Sequence, residues 1–274
     1  MKLLSTWPVH DRQRIQGIFT DIDDTLTTDG AITPDALAAL HELKVHGLSV
    51  IAITGRPVGW SEPFATSWPV DAIVAENGAV LLKNIYQKDL QPNEFERKLL
   101  LKSYQQSDAI RASNYARMQQ VGERILQEVS GTLLAQDSAG RETDMAIDHS
   151  EFTQLTPAKI AQVVAIMQAE GMTATVSSIH INGWFGAHNK LTGACWAVRE
   201  LFSRDLKAEI NDWAYVGDST NDQLMFEAFP NSIGVANVRR FEAQLTSLPR
   251  YITDGERGAG FAEVARAVLS SQTD

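Results

Sequence analysis

Three carboxylates follow one apolar run near the start of the chain. Asp21, Asp23 and Asp24 come directly after residues 15–19, whose pattern predicts a buried strand. Carboxylates clustered at the carboxyl end of a buried strand repel one another and lose hydration. Their presence there indicates a bound cation, a reacting group, or both.

Acidic and hydroxylic side chains also follow two later predicted strands. Thr54 comes after residues 49–53, and Asp218 and Asp222 come after residues 213–216. In an open parallel sheet, ligands bind outside the carboxyl ends of the strands, so these loops can converge although they are far apart in sequence. Carboxylates brought together in this way need a hard divalent cation, and oxygen ligands favour Mg²⁺. The sequence therefore predicts an Mg²⁺ site with positions left for a phosphate oxygen.

The elements between these residues predict a parallel α/β sheet. Thr33 and Pro34 begin a helix, because Thr is a good N-cap and Pro suits the first turn. That helix lies between two predicted strands, and strand, helix and strand in this order make parallel sheets. Asn77-Gly78, between two apolar runs, predicts a hairpin turn. The α/β alternation resumes at Lys190 and continues to the end of the chain.

The pattern differs over residues 85–187. Residues 93–129 are mostly polar with helical spacing, including Phe95, and short strands and a capped helix follow them. This order predicts a compact α+β module of about 100 residues. The predicted fold is therefore an α/β, Rossmann-like parallel-sheet core made of residues 1–84 and 188–274, with an inserted α+β domain at 85–187. The crossings near residues 84 and 188 are the expected hinges.

Composition excludes several classes of function. A net charge of −10 and a pI near 5.1 argue against a nucleic-acid or anionic-membrane surface. No apolar run approaches the roughly 20 residues of a membrane span, and the first residues lack a secretory pattern. The single cysteine, Cys195, excludes an internal disulfide and fits a cytoplasmic location. The expected partner is a small phosphorylated metabolite, bound by a monomer or a small homo-oligomer.

The ordered motifs resemble those of the haloacid dehalogenase-like (HAD) phosphohydrolases. Residues 21–26, Asp-Ile-Asp-Asp-Thr-Leu, resemble their DxDxT motif, and Thr54, Lys190 and residues 217–222 match the other three motifs in order. Thr54-Gly55-Arg56, the Glu-Asn-Gly-Ala turn and the position of the insert resemble subfamily IIB. That branch carries the larger α/β cap and includes Cof-type, sucrose-phosphate and mannosyl-3-phosphoglycerate phosphatases.

The resemblance implies a role for each motif residue. Asp21 would attack phosphorus and form an aspartyl-phosphate, which divides a difficult hydrolysis into two steps. Asp23 would protonate the leaving oxygen and then activate water. The side chains of Asp21 and Asp218 and the backbone carbonyl of Asp23 would ligate Mg²⁺.

The remaining motif residues would bind phosphate or orient its ligands. Thr54 and the Gly55 amide would hold phosphoryl oxygens, and Lys190 would neutralise charge on Asp21 and on the phosphate. Asn221 and Asp222 would orient Lys190 and the metal ligands. Asp24 is expected to be a solvated loop residue.

Substrate recognition is expected in the insert and beside it. The runs 141–149 and 177–184 alternate polar and apolar residues, so one face of each can meet the substrate. For their polar members, a surface or sheet-pairing role is the alternative. Arg56 either meets an anionic substrate or pairs with Glu76. Besides Thr54 and Gly55, the expected substrate-binding residues are Arg56, Asn77, Arg141, His180 and Asn182.

The leading hypothesis is an Mg²⁺-dependent phosphatase for a sugar phosphate or a phosphorylated sugar acid. One alternative is a phosphosugar mutase, in which a sugar hydroxyl instead of water takes the phosphoryl group. The other is a non-catalytic phosphate-binding regulatory module.

Overall fold

The structure, a computed structural model, describes residues 1–87, 97–177 and 179–272. The strands are β1 Lys2–Leu3, β2 Gly17–Thr20, β3 Thr27–Thr28, β4 Ala31–Ile32, β5 Ser49–Ile53, β6 Ala72–Ala75, β7 Val80–Gln87, β8 Arg97–Tyr104, β9 Leu133–Leu134, β10 Met145–Asp148, β11 Thr173–Val176, β12 His180–Trp184, β13 Trp213–Gly217, β14 Asn231–Gly234 and β15 Tyr251–Ile252. The α-helices are α1 Val9–Gln13, α2 Pro34–Val45, α3 Val58–Ser67, α4 Asp108–Glu128, α5 Pro157–Ala169, α6 Lys190–Phe202, α7 Gln223–Ala228 and α8 Arg257–Gln272.

The largest sheet of the described residues is mostly parallel. Its strand order is β1-β15-β14-β13-β2-β5-β6-β7-β8, and the pairs β6–β7 and β7–β8 are antiparallel. Strand β2 lies between β13 and β5 and pairs in parallel with both. The predicted parallel α/β core is confirmed, and the three strands that precede the candidate site residues are neighbours.

Both faces of this sheet are covered by helices, as a parallel sheet requires. Successive residues of a strand point to opposite faces, so Ile18 joins a core cluster with residues of α2 and α8, whereas Phe19 joins a second cluster with α6 and α7. Thr33 begins α2 as predicted, because its hydroxyl accepts a hydrogen bond from the Ala36 amide. The apolar strands are therefore fixed from both sides, which holds their ends in place.

A second sheet, of order β11-β12-β10-β9, makes up the smaller layer of the molecule. Helices α4 and α5 pack on it, and their apolar side chains share one core with the strands, including Met118, Ile125, Val163 and Ile181. The predicted α+β character of the inserted region is confirmed.

The residues near the predicted start of the insert form two strands of the main sheet. Residue 84 lies within β7, where Asn84 pairs with Leu100 of β8. Residues 97–104 form a strand of the main sheet, so the helical prediction is wrong there; it is correct for α4. Residues 93–96, including Phe95, lie outside the described residues. We propose that the insert comprises residues 105–187, which moves the first expected hinge to the segment after Tyr104.

Candidate active site

The loops after β13, β2 and β5 converge on one cavity. Its lining includes the predicted residues Asp21, Asp23, Thr54, Gly55, Arg56, His180, Asn182, Asp218 and Asn221. Ser177, Ile179 and Ser219, which belongs to the motif at 217–222, also line it, although none of them was a predicted site residue. The first two belong to the alternating run 177–184, which was the available signal; Ser178 of that run lies outside the described residues.

Two carboxylates that line the cavity, Asp21 and Asp218, form a cluster with Asp222. Oxygens of Asp21, Asp218 and Asp222 lie within 4.8 Å of one another, and all three residues are buried. Oδ2 of Asp218 accepts a hydrogen bond from Asn237, whereas its buried Oδ1 has no partner among the described residues. Burial, followed by the neighbouring charges, raises the pKa of Asp218. A free buried oxygen within an all-oxygen donor set fits a hard divalent cation such as Mg²⁺.

Lys190 lies between two of these carboxylates. Its Nζ donates to Oδ1 of Asp21 at 2.6 Å and to Oδ1 of Asp222 at 2.7 Å. Burial opposes the positive charge, but the two carboxylates outweigh it and raise the pKa of Lys190. Helix α6 begins at Lys190, and its N-cap Asn189 accepts from the Thr192 amide, so the lysine has a fixed starting point. Lys190 therefore contacts Asp21, and its implied role in neutralising charge on Asp21 and on the phosphate stays a prediction.

Asp222 holds this arrangement from behind. Besides Lys190, it accepts hydrogen bonds from the Tyr215 hydroxyl and from the amides of Asp218 and Ser219. Its oxygens are therefore taken up by protein donors. This is the orienting position that the sequence predicts for Asp222.

Thr54 faces the cavity with an oriented hydroxyl. Its Oγ1 accepts a hydrogen bond from the Arg56 amide at 3.0 Å, and its own amide and carbonyl bond to Val74 and Asn77. Because Oγ1 is already an acceptor, the hydroxyl hydrogen is available to a ligand. This suits a residue that donates to a phosphoryl oxygen.

Arg56 does not pair with Glu76, so that alternative is wrong. Its Nε donates to Asp23 at 3.0 Å, and Nη1 and Nη2 reach Asp137 at 3.3 Å and Glu151 at 3.5 Å. Asp137 and Glu151 belong to the insert, so one guanidinium joins the loops of the core to the insert. The insert therefore meets the core beside Asp23.

Glu76 binds the insert in a different way. It is fully buried, and its carboxylate accepts from the amides of Val58, Glu142, Thr143 and Asp144 and from the Thr143 hydroxyl, at 2.5–3.2 Å. The turn that presents it is unusual, because Glu76 and Asn77 both have positive φ, 49° and 56°. Nothing local in the sequence marked Glu76 as a contact between core and insert.

Two of the predicted substrate-binding residues lie behind the cavity wall. Arg141 donates to the Gly55 carbonyl at 3.1 Å and to Asp144 at 2.7 Å, and Asn77 donates to Asp144 at 3.3 Å. Neither residue lines the cavity. Arg141 is almost completely buried, which also rules out its predicted surface alternative. Both side chains thus bind other protein groups, the Gly55 carbonyl and the Asp144 carboxylate, and not the cavity.

His180 and Asn182 do line the cavity, from β12. Nε2 of His180 lies 2.8 Å from Glu151, and Asn182 donates to Asp144 at 3.3 Å. Burial lowers the pKa of His180 to about 4, so the imidazole is neutral near pH 7. Both residues are therefore available as uncharged contacts on the insert side.

The chain matches the sequence profile of the haloacid dehalogenase-like hydrolases over residues 18–264. It therefore belongs to the haloacid dehalogenase-like hydrolase family, and the predicted resemblance is confirmed. A search of curated proteins found no match.

Solved structures agree on the fold. Protein 0175 of Thermoplasma acidophilum shares 16% identity at a TM-score of 0.69, with 93% of this chain and 98% of that one covered. A HAD/COF-like hydrolase from Plasmodium vivax shares 16% identity at 0.66, with 96% and 99% covered. The sucrose-phosphatase of Synechocystis, solved with sucrose and phosphate, shares 15% identity at 0.63, with 93% and 98% covered.

Among the helices that the structure describes, none has the length and apolar character needed to cross a membrane.

Proposed function

We propose that the protein is an Mg²⁺-dependent phosphatase that hydrolyses a small phosphorylated metabolite through an aspartyl-phosphate. The observation that carries this proposal is the position of Asp21, held by Lys190 at 2.6 Å and facing a cavity that Thr54 and Asp218 also line. A carboxylate fixed beside a cation and phosphate-binding donors is an arrangement for nucleophilic attack on phosphorus.

Each residue has a balanced part in the proposed reaction. A carboxylate oxygen of Asp21 attacks phosphorus, the bond to the leaving oxygen breaks, and the Asp23 carboxyl gives that oxygen its proton. Asp23 then removes a proton from water, which attacks the phosphorus of the aspartyl-phosphate. Free phosphate leaves, and Asp21 and Asp23 return to their starting states.

The remaining charges of the site stabilise this chemistry. Thr54 and the Gly55 amide donate to phosphoryl oxygens, and Lys190 balances the charge on Asp21. Asp21 and Asp218, with the Asp23 carbonyl, would hold Mg²⁺, which supplies charge neutralisation for the phosphoryl oxygens when it is bound.

Replacing the proposed nucleophile tests this function. Asp21→Asn should lower phosphate release from p-nitrophenyl phosphate on the order of 10³-fold or more, because the amide cannot form the aspartyl-phosphate. The matched control is Asp24→Asn, three residues away and paired with Arg257 at 2.9 Å; it should retain activity within about tenfold. Near-full activity of a folded Asp21→Asn protein would contradict the proposal. With heavy-oxygen water, label in the released phosphate separates hydrolysis from transfer to a sugar hydroxyl.

A further inference from the structure

We propose that the site accepts phosphate esters of uncharged, hydroxyl-bearing alcohols and rejects esters whose leaving group carries a carboxylate. This inference rests on the proposed function and narrows its substrate class. It comes from the charges that surround Asp23, which marks the leaving-group side of the cavity because it would protonate the leaving oxygen.

The guanidinium of Arg56 is the cation nearest to Asp23, and it is already neutralised. It contacts the carboxylates of Asp23, Asp137 and Glu151 at 3.0 Å, 3.3 Å and 3.5 Å. The Arg56 side chain is 9% exposed, so little of it remains open to a further anion. Even when Asp23 carries the proton for the leaving oxygen, the carboxylates of Asp137 and Glu151 outnumber this guanidinium, so this end of the cavity is negative.

The two carboxylates of the insert are held in place. The Asp148 carboxylate accepts from the amides of Glu151 at 3.0 Å and Phe152 at 2.8 Å, which fixes the loop that carries Glu151. Asp137 accepts from Arg141 at 3.1 Å. Neither carboxylate can simply turn away when an anion enters.

Nearby basic groups do not compensate for this charge. Arg141 is buried and directed at Asp137 and Asp144. His180 is bound to Glu151 at 2.8 Å, and burial keeps its imidazole neutral, with a pKa of about 4. A substrate carboxylate would have to displace Asp137 or Glu151 from Arg56 and leave it unpaired, or lie beside them.

Hydroxyl groups meet no such penalty. An alcohol can donate to Asp23 or to Oδ1 of Asn182, which both line the cavity, or to Glu151, which lines a neighbouring cavity together with Asp23 and Arg56. The same wall that repels a carboxylate therefore offers a polyol its hydrogen-bond partners.

Matched substrate pairs test this inference on the wild-type enzyme with Mg²⁺. Glycerol 3-phosphate is compared with 3-phosphoglycerate, and glucose 6-phosphate with 6-phosphogluconate, so that each pair differs mainly by a carboxylate. We expect kcat/KM to be at least about tenfold higher for the uncharged member of each hydrolysed pair, since like charges brought together are strongly disfavoured. Equal values, or a preference for either acid, would overturn the inference.

A generic substrate separates this result from the proposed function. Release from p-nitrophenyl phosphate without release from either uncharged ester overturns the inference and leaves the phosphatase proposal standing. No release from any of the five compounds overturns both.

A variant of Glu151 tests whether the insert causes the preference for uncharged esters over carboxylate-bearing ones. Glu151→Gln should narrow the uncharged-to-acid ratio of kcat/KM by about threefold or more, because one fixed negative charge is lost beside Arg56. Glu128→Gln removes the same charge from the exposed surface of α4, where Glu128 pairs with Arg124, and should leave the ratio unchanged. An unchanged ratio in Glu151→Gln would contradict the role given to this carboxylate.

Discussion

Buried charge dominates the site at the scale of single residues. Lys190 is 2% exposed and contacts two carboxylates, and Asp218 keeps one buried oxygen without a partner among the described residues. Such groups are costly to bury unless each is matched by an opposite charge. The sequence already indicated this cost at Asp21, and the structure places the matching lysine beside it.

A buried histidine outside the site predicts how stability depends on acid. His188 stacks on Trp184, its Nε2 has no partner among the described residues, and burial lowers its pKa to about 4. The unfolded chain, with an ordinary value near 6.5, therefore binds more protons between these pH values, so stability falls as the pH drops from about 6.5 towards 4. Above that pH range the imidazole is neutral in both the folded and the unfolded chain, so it does not make stability depend on pH.

Replacing His188 should reduce the loss of stability at acid pH. His188→Phe keeps a ring on Trp184, so the fall in the free energy of unfolding between pH 7 and pH 5 should shrink by about 1–2 kcal/mol. Urea unfolding at the two pH values measures this, with the exposed His41→Gln as control. The same acid loss in His188→Phe and wild type would contradict the account.

At the scale of elements, the turn between β6 and β7 joins the core to the insert. Glu76 accepts four backbone amides and one hydroxyl, most of them from residues 142–144. The next position needs glycine, because Gly78 has φ +107° and a Cβ there would lie 2.3 Å from the Asn189 carbonyl oxygen. One short turn thus meets both a loop of the insert and the segment that returns to the core.

Replacing the Glu76 carboxylate should weaken the contact between the core and the insert. Glu76→Gln places an amide donor among backbone donors, so we expect the free energy of unfolding to fall by about 2 kcal/mol or more. Glu62→Gln is the control, since Glu62 is exposed and pairs with Lys102 at the surface; its loss should be below about 1 kcal/mol. Urea denaturation measures both free energies of unfolding. Equally small losses in the two variants would contradict the stabilising role given to Glu76 between core and insert.

The elements also show what the sequence can and cannot predict. Asn77-Gly78 correctly predicted the β6–β7 hairpin, because turn chemistry is local. The contact of Glu76 with Thr143 joins residues 67 positions apart, so no local pattern contains it. Strand β8 was missed because a short run with Leu99 and Leu100 fits either period, and pairing with β7 decided its form.

At the scale of the molecule, the sheet order explains why distant motifs could be predicted to meet. Residues after β2, β5 and β13 converge because these strands are adjacent and parallel. The side chains that the insert brings to the cavity were harder to predict. His180 and Asn182 line the cavity, whereas Arg141 lies behind it. Which of these side chains faces the cavity depends on how the two sheets pack against each other, and no local sequence pattern contains that packing.

The core and the insert meet through Arg56, which lines the cavity, and through Glu76. For a substrate to enter, we expect the insert to move away from the core and then to return, so that Arg56 again contacts Asp137 and Glu151 once the substrate is bound. The crossings after Tyr104 and near residue 188 are the expected hinges of this motion.

Trapping the proposed intermediate tests the central claim most directly. With Mg²⁺ and p-nitrophenyl phosphate labelled in its phosphate, Asp23→Asn should show a burst of p-nitrophenol, because this leaving group needs no proton. Acid-quenched protein should carry the label on the peptide that contains Asp21, and Asp21→Asn should carry none. Label on another residue, or steady turnover by the Asp21→Asn protein, would contradict the assignment of Asp21 as the nucleophile.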